Sequence, residues 1–250
     1  MQLSTDKILL AAKSMLLRKH KRFPAKHLDI GSGTGALIAL LQHEGGFESV
    51  GCDYTADLIE VPNVRVDIAN LNFQNLPYEA ESFDAVTCTE VVEHLENHRH
   101  AAREIFRVLK CEGTAVISTP NILNLKSRLR FLWYGFYNLF GPLHFKESAL
   151  YSTGGHITPI SLFYLVHSLV DAGFTEIEVT VDKHQSTSMF LLMLLYAPIV
   201  LISKIIHAKE ASKYQTVDAA NAEWVRKMNS TDILLGRTLI VGARKPGPAL

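Results

Sequence analysis

The chain has 250 residues, enough for one large α/β domain with insertions, or for one domain beside a small companion. Its 25 basic and 25 acidic side chains balance, so no global field favours nucleic acid. Cys52, Cys88 and Cys111 are odd in number and lack metal-ligand spacing, so they read as reduced thiols of a protein on the cytosolic side.

Residues 5–20 predict an amphipathic helix with Ile8, Leu9, Ala12, Met15 and Leu16 on one face. Asp6 and Lys13 interrupt its apolar residues, and the basic run Arg18–Arg22 follows them, so it does not read as a secretory signal. Phe23-Pro24 ends it. A first strand over Lys26–Ile30 feeds the turn Gly31-Ser32-Gly33-Thr34-Gly35, and a helix over Ala36–His43 closes at Gly45-Gly46. Three positions without a Cβ let backbone come close to a ligand. A dinucleotide turn usually reads G-x-G-x-x-G; here the third glycine comes one residue early.

Strand two, Glu48–Asp53, ends on an acid about 20 residues past the turn, where a carboxylate can accept from both ribose hydroxyls. Asp53 could also cap a short helix over Thr55–Glu60. Strand three, Asn63–Val66, is followed by Asp67-Ile68, an acid and an aliphatic group suited to flank adenine; Asp67 could instead be a turn residue. Strand four, Phe83–Thr87, runs into Thr89, Glu90 and Val91-Val92-Glu93-His94-Leu95.

In this order, Leu28-Asp29-Ile30-Gly31-x-Gly33-x-Gly35, Asp53, Asp67-Ile68, Leu76-Pro77 with Phe83-Asp84, and Glu90-Val91-Val92-Glu93-His94-Leu95 resemble class I S-adenosylmethionine (SAM) methyltransferases. The resemblance is to their small-molecule (type 11) branch, which includes ubiquinone-biosynthesis O-methyltransferases. It covers roughly Leu28–Asn121 and the last strand. It implies SAM as cofactor, held by Asp29, Gly31, Ser32, Gly33, Gly35, Asp53, Asp67, Ile68, Thr89 and Glu90. Some ubiquinone-type relatives hold a divalent ion with Glu-x-x-Glu-His, here Glu90, Glu93 and His94. No metal is assigned, because glutamates at a helix start also favour the helix dipole.

Further on, a helix over His98–Leu109 should bury Ala102, Ile105, Phe106 and Leu109 and keep Arg103, Arg107 and Lys110 wet. Strand five is Thr114–Ser118. A helix over 158–172 begins at Thr158-Pro159 and closes at Gly173. Strands six and seven are Thr175–Val181 and Thr238–Ala243. The fold expected is α/β: a Rossmann-like seven-stranded, mostly parallel sheet with an antiparallel last strand and helices on both faces. Residues 1–250 form a single domain with insertions at about 122–157 and 183–235, after strands five and six.

Both insertions should emerge at the carboxyl ends of the strands, where ligands bind in such sheets. The first mixes basic and aromatic residues from Leu125 to Phe140. In the second, His184–Ser203 has no Lys, Arg, Asp or Glu, and Pro198 breaks the apolar run Met189–Ile202. That run is shorter than the ~20 residues of a span. Strands six and seven share a sheet, so the chain must leave and return on one side. A monotopic helix or shallow re-entrant hairpin, a subunit interface, a lid and an ordinary buried helix all fit. The reading adopted is a lipid-linked or apolar acceptor met at a membrane surface through 125–145 and 189–206, by a cytoplasmic protein peripheral to the inner face of the membrane. Oligomeric state is open.

A methyl transferred to oxygen displaces a proton. His94, just after strand four, and His156, in Gly154-Gly155-His156-Ile157, are the candidate catalytic bases; the alternatives are a structural hydrogen bond and a turn. Competing functions are an NAD-dependent oxidoreductase and a non-catalytic scaffold of the same fold. No motif for nucleic-acid methylation follows strand four.

Overall fold

The computed structural model describes residues 5–143 and 155–248. Gly154, and residues 144–145 of the expected membrane segment, lie outside the described residues. Seven strands form one sheet: β1 Ala25–Ile30, β2 Phe47–Asp53, β3 Val66–Ile68, β4 Phe83–Thr89, β5 Leu109–Pro120, β6 Thr175–Val181 and β7 Thr238–Arg244. Their order is β3-β2-β1-β4-β5-β7-β6. The first five pair in parallel, and β7 runs antiparallel to both neighbours, β5 and β6. The mostly parallel sheet with an antiparallel last strand is therefore as expected.

The central strands are apolar almost without break because both faces are covered. Alternate side chains serve opposite layers. Ala85, Val116 and Ile240 pack with α1 (Asp6–Lys19) and α2 (Ala36–Glu44), whereas Val86, Ile117, Leu239 and Val241 pack with α3 (His98–Val108) and α5 (Leu162–Ala172). Helix α1 buries Ile8, Leu9, Ala12, Met15 and Leu16, the predicted face. All three cysteines are free thiols.

Four local expectations fail for identifiable reasons. Residues 55–60 are not helical, because the Asp53 carboxylate is engaged elsewhere and Thr55 closes a turn with Asp57 instead. Strand three starts three residues later than predicted, since Asn63 holds a left-handed turn at φ 61°; Asp67 and Ile68 thus lie within β3. In α3 the predicted stripe is inside, with Ala102, Ile105 and Leu109 buried and Phe106 packed against the core, but it is wider than expected, since Ala101, Glu104 and Val108 are buried too, and Leu109 already belongs to β5. Arg107 is not on a wet face. Its guanidinium binds the Tyr78 and Leu76 carbonyls and Glu104, whose carboxylate also accepts from Leu76 N, pinning the loop before β4. Thr158 does not start a helix: its N–H bonds the Glu93 carbonyl and its hydroxyl the Leu95 carbonyl, so α5 begins at Leu162.

The first insertion holds α4 (Leu125–Tyr134), capped by Asn124, whose Oδ1 accepts from Ser127 N at 2.9 Å. The second holds α6 (Met189–Lys209), α7 (Ala222–Lys227) and α8 (Thr231–Leu235). Asn121, just past β5, donates to the Ile233 and Gly236 carbonyls at 2.7 and 2.9 Å and so ties the end of β5 to the end of the second insertion.

Candidate active site

The turn between β1 and α2 is left-handed at all three glycines, with φ of 70°, 47° and 80° at Gly31, Gly33 and Gly35. Non-glycine residues pay roughly 1–2 kcal/mol there. Packing adds a second demand. A Cβ on Gly31 would overlap Val91 Cγ2, and one on Gly35 would stand 2.5 Å from Ile59 Cδ1 and 2.8 Å from Val61 Cγ2. These two glycines therefore admit neighbouring protein, whatever else they admit.

Asp53, at the end of β2, holds the turn. Its Oδ2 accepts from Gly33 N at 2.8 Å and its Oδ1 from Tyr54 N at 2.7 Å. A carboxylate has about four acceptor sites, so lone pairs remain on both oxygens. Asp29 lies deeper. It is buried in the sheet and accepts from Thr87 Oγ1 at 2.6 Å; Thr87 Oγ1 accepts from His27 Nε2 at 2.8 Å; His27 Nδ1 accepts from Ser49 Oγ at 3.0 Å. Burial pushes the Asp29 carboxyl up to about 7 and the His27 imidazole down to about 3. This buried chain joins β2, β1 and β4 beneath the turn.

Among the described residues, two buried polar atoms near the turn have no partner: Ser32 Oγ and Asp67 Oδ2. The other Asp67 oxygen accepts from Arg65 Nε at 2.8 Å. Ile68 is 66 % exposed, open to pack on a planar ring. Thr89 ends β4, buried. Glu90 follows with φ 56°, fixed by Ser118: Glu90 N donates to Ser118 Oγ and Ser118 Oγ to Glu90 Oε1, each at 3.0 Å. Burial raises the Glu90 carboxyl to about 7, against the pull of Ser118 and Arg237.

The two predicted histidines do meet. Their ring centroids are 4.8 Å apart, edge to face, and Phe140 packs on His156. The Ile157 and Thr158 N–H groups both bond the Glu93 carbonyl at 3.0 Å, which clamps the end of the first insertion onto the turn after β4. His94 Nδ1 lies 2.8 Å from the Gly155 carbonyl and must donate to it, so Nε2 carries the lone pair. Burial lowers the His94 pKa; burial and then His94 lower that of His156 to about 4. Glu93 shares this corner, and one ligating atom from each of Glu93, His94 and His156 falls within 4.8 Å of the others. The Glu93 carboxyl is fully buried and held well above the ordinary range by that burial, then by Glu90.

Beyond β5 lies a cleft of about 270 Å³ lined by Pro120, Asn121, Asn124, Asn138, Leu139, Gln185 and Arg237. None of these was singled out in the sequence. The end of β5, both insertions and the residue before β7 supply them, and no local pattern marks residues that converge only through the sheet order. The Gln185 amide nitrogen is buried without a partner, and among the described residues the Arg237 guanidinium makes no hydrogen bond.

The residues present fit a nucleoside cofactor at the glycine turn: a left-handed loop backed by Asp53, two unpartnered buried oxygens, and an exposed aliphatic group. Comparison with known proteins agrees. Residues 28–117 match the family model of a methyltransferase domain. An uncharacterized methyltransferase of Bacillus subtilis is 35 % identical over 154 residues, covering 54 % of this chain and 56 % of the relative. The ubiquinone/menaquinone biosynthesis C-methyltransferase of Geotalea uraniireducens is 29 % identical, over 53 % of this chain and 66 % of the relative. A ubiquinone biosynthesis O-methyltransferase of Psychrobacter arcticus is also 29 % identical, over 60 % and 59 %. The chain thus spans between about half and two thirds of these curated relatives. A SAM-dependent methyltransferase from Archaeoglobus fulgidus shares the fold, with TM-score 0.56 at 21 % identity over 95 % of this chain and 94 % of that one.

Proposed function

We propose that this chain, whose residues 28–117 match the family model of a methyltransferase domain, is a class I SAM-dependent methyltransferase that moves the methyl group of SAM to an oxygen of a small or lipid-linked acceptor seated in the cleft beyond β5. The observation that carries the reading is the Asp53–Gly33 tie: an acid with lone pairs to spare, fixed beside a side-chain-poor turn. Gly31, Ser32, Gly33, Gly35, Asp53, Asp67, Ile68, Thr89 and Glu90 are the residues proposed to hold the cofactor. Asp29 supports them from below through Thr87. When bound, SAM supplies its own electrophile, a methyl on a charged sulfur.

The chain's own task is alignment and proton handling. His94 is the proposed base. The Gly155 carbonyl fixes its tautomer, and burial keeps it neutral near pH 7 with Nε2 able to take a proton. His156, a weaker base, orients His94 by edge-to-face packing. Relatives of both carbon- and oxygen-methylating kinds match equally, so the oxygen assignment rests on His94 alone. Arg237 and Gln185 offer donors that are unpaired among the described residues to a polar or anionic part of the acceptor.

Calorimetric titration of the full chain with SAM, and separately with NAD, tests the cofactor. Binding of SAM alone is expected; silence at millimolar SAM overturns the reading. Incubation with methyl-tritiated SAM and cell extract, partitioned into organic and aqueous phases, then tests transfer. Binding without label transfer to either phase would point to a scaffold.

A further inference from the structure

Helix α6 carries a surface that the methyl-transfer chemistry does not use. It has 21 residues, none of them buried, and its first charged side chain is Lys204. Leu192, Leu195, Ile199, Ser203 and His207 form a half-covered stripe. That stripe faces the domain, where Ser203 Oγ lies 2.7 Å from Asn229 Nδ2. The rest of the circumference is open and apolar: Phe190 is 63 % exposed, Met193 72 %, Leu201 63 % and Ile205 63 %.

Helix α4 stands beside it. Arg128 donates to Asn229 Oδ1 and to the Met228 carbonyl at 2.7 and 2.8 Å, so Asn229 bridges α4 to α6. The end of α4 exposes Phe131, Leu132, Trp133 and Tyr134, with the Arg130 guanidinium 5.5 Å from the Tyr134 ring. At the far end of α6, Lys204, Lys209 and Lys213 follow the apolar run, and Tyr214 lies within cation–π reach of the last two.

A protein partner, including a second copy of this chain, would cover one stripe of a helix. A helix apolar over most of its circumference is solvated best by lipid. The expectation of a run too short to span does not hold: the helical segment Ser186–Tyr214, 29 residues, is long and apolar enough to cross a membrane by length and composition, so topology alone limits the depth. β6 and β7 share one sheet, so the segment returns to the side it left. Aromatic and basic groups bordering the run have the composition of the headgroup region.

We propose that α6 and the exposed end of α4 form one lipid-docking surface, lying in the headgroup–acyl boundary of an anionic bilayer with Lys204, Lys209 and Lys213 at the phosphates. The proposal stands apart from the methyl-transfer reading. If both hold, the cleft and the docking surface draw on the same two insertions, since Leu139 and Gln185 on the cleft wall lie in the insertions that carry α4 and α6.

The test is flotation of the full chain with vesicles of phosphatidylcholine, alone or mixed with phosphatidylglycerol. The protein should float with the mixed vesicles and less with the neutral ones. Leu194→Glu with Ile205→Glu should reduce partitioning about tenfold or more. Lys204→Glu with Lys209→Glu should cost at least roughly fivefold per lysine on mixed vesicles and little on neutral ones. The circular dichroism and thermal unfolding of each variant report that it has folded. Protein that ignores both vesicle types overturns the proposal. So does binding that neither variant changes, or a dimer in solution that the Leu194→Glu/Ile205→Glu chain loses while wild type stays off vesicles.

Discussion

The two sides of the sheet are built on different terms. From β1 to β4, polar groups are mostly spent on the protein itself: Asp53 on the glycine turn, Asp29 on Thr87, Glu104 on the loop before β4. From β5 to β7, donors and apolar surface are left over: Gln185 Nε2, the Arg237 guanidinium, the open side of α6. The first side fixes a main-chain shape, and the second offers side chains to something else. Paired substitutions sharpen the contrast. Gly31→Ala puts a Cβ into Val91 at φ 70°, and should cost about 3–5 kcal/mol in urea unfolding and abolish SAM binding. Gly135→Ala, at φ 74° with open space around it, should cost only about 1 kcal/mol and leave SAM binding intact. Equal losses would mean that backbone strain alone matters.

The buried chain under the turn predicts a pH signature confined to the first side. Asp29 has a carboxyl raised from 3.8 to about 7 in the fold, so the native state holds a proton that the unfolded chain has already lost. Its stabilising contribution is full below about pH 4 and falls away as pH rises to about 7; the gap is worth at most about 4 kcal/mol. In the Asp29→Asn variant the amide oxygen would still accept from Thr87, but the side chain would not titrate. The difference in unfolding free energy between wild type and Asp29→Asn should therefore shift toward the variant from pH 4 to pH 7.5. Glu90 and Glu93, raised as well, and His27, lowered, titrate in both chains and cancel in the difference. A difference that does not move with pH would show Asp29 ionised in the fold.

What the sequence could say follows the same division. Asp53, the glycines and the mostly parallel strands were legible because backbone conformation leaves a local mark: a glycine where φ is positive, an acid at a strand end, periodicity in α1. The reason for Gly31 and Gly35 was not, since Val91, Ile59 and Val61 reach them from other loops. Arg107 looked wet because helical spacing put it opposite Ile105, yet the loop before β4 folds over it. Thr158 had the letters of a helix start, but the turn after β4 took its N–H and hydroxyl. The cleft was invisible because Asn121, Gln185 and Arg237 are joined only by β7 inserting between β5 and β6.

Asp53 offers a direct test of the cofactor side. Asp53→Ala removes the tie to Gly33 and the acceptor sites beside it. SAM affinity should fall by about 1.5–3 kcal/mol, on the order of ten- to a hundredfold, by calorimetry. Asp53→Asn keeps one acceptor oxygen for Gly33 N and should lose less. If alanine binds SAM as wild type does, the acid only shapes the turn.

Arg237 is the counterpart on the other side, with the smallest expected effect. Its guanidinium is half-buried on the cleft wall and near enough to Glu90 to lower that carboxyl against burial. With Glu90 titrating at about 7, the pair is incompletely charged near neutrality, and the arginine keeps a donor face for the acceptor. Arg237→Gln should leave SAM affinity within twofold and weaken capture of the acceptor by about 1 kcal/mol, roughly fivefold. The loss of tritium transfer should be visible at low extract and vanish at saturation. It should also flatten as pH rises past 7 if the acceptor is neutral, because the arginine then turns to the ionised Glu90 in wild type as well. A fall in transfer that persists at saturating extract would move Arg237 from acceptor capture to the transfer step itself.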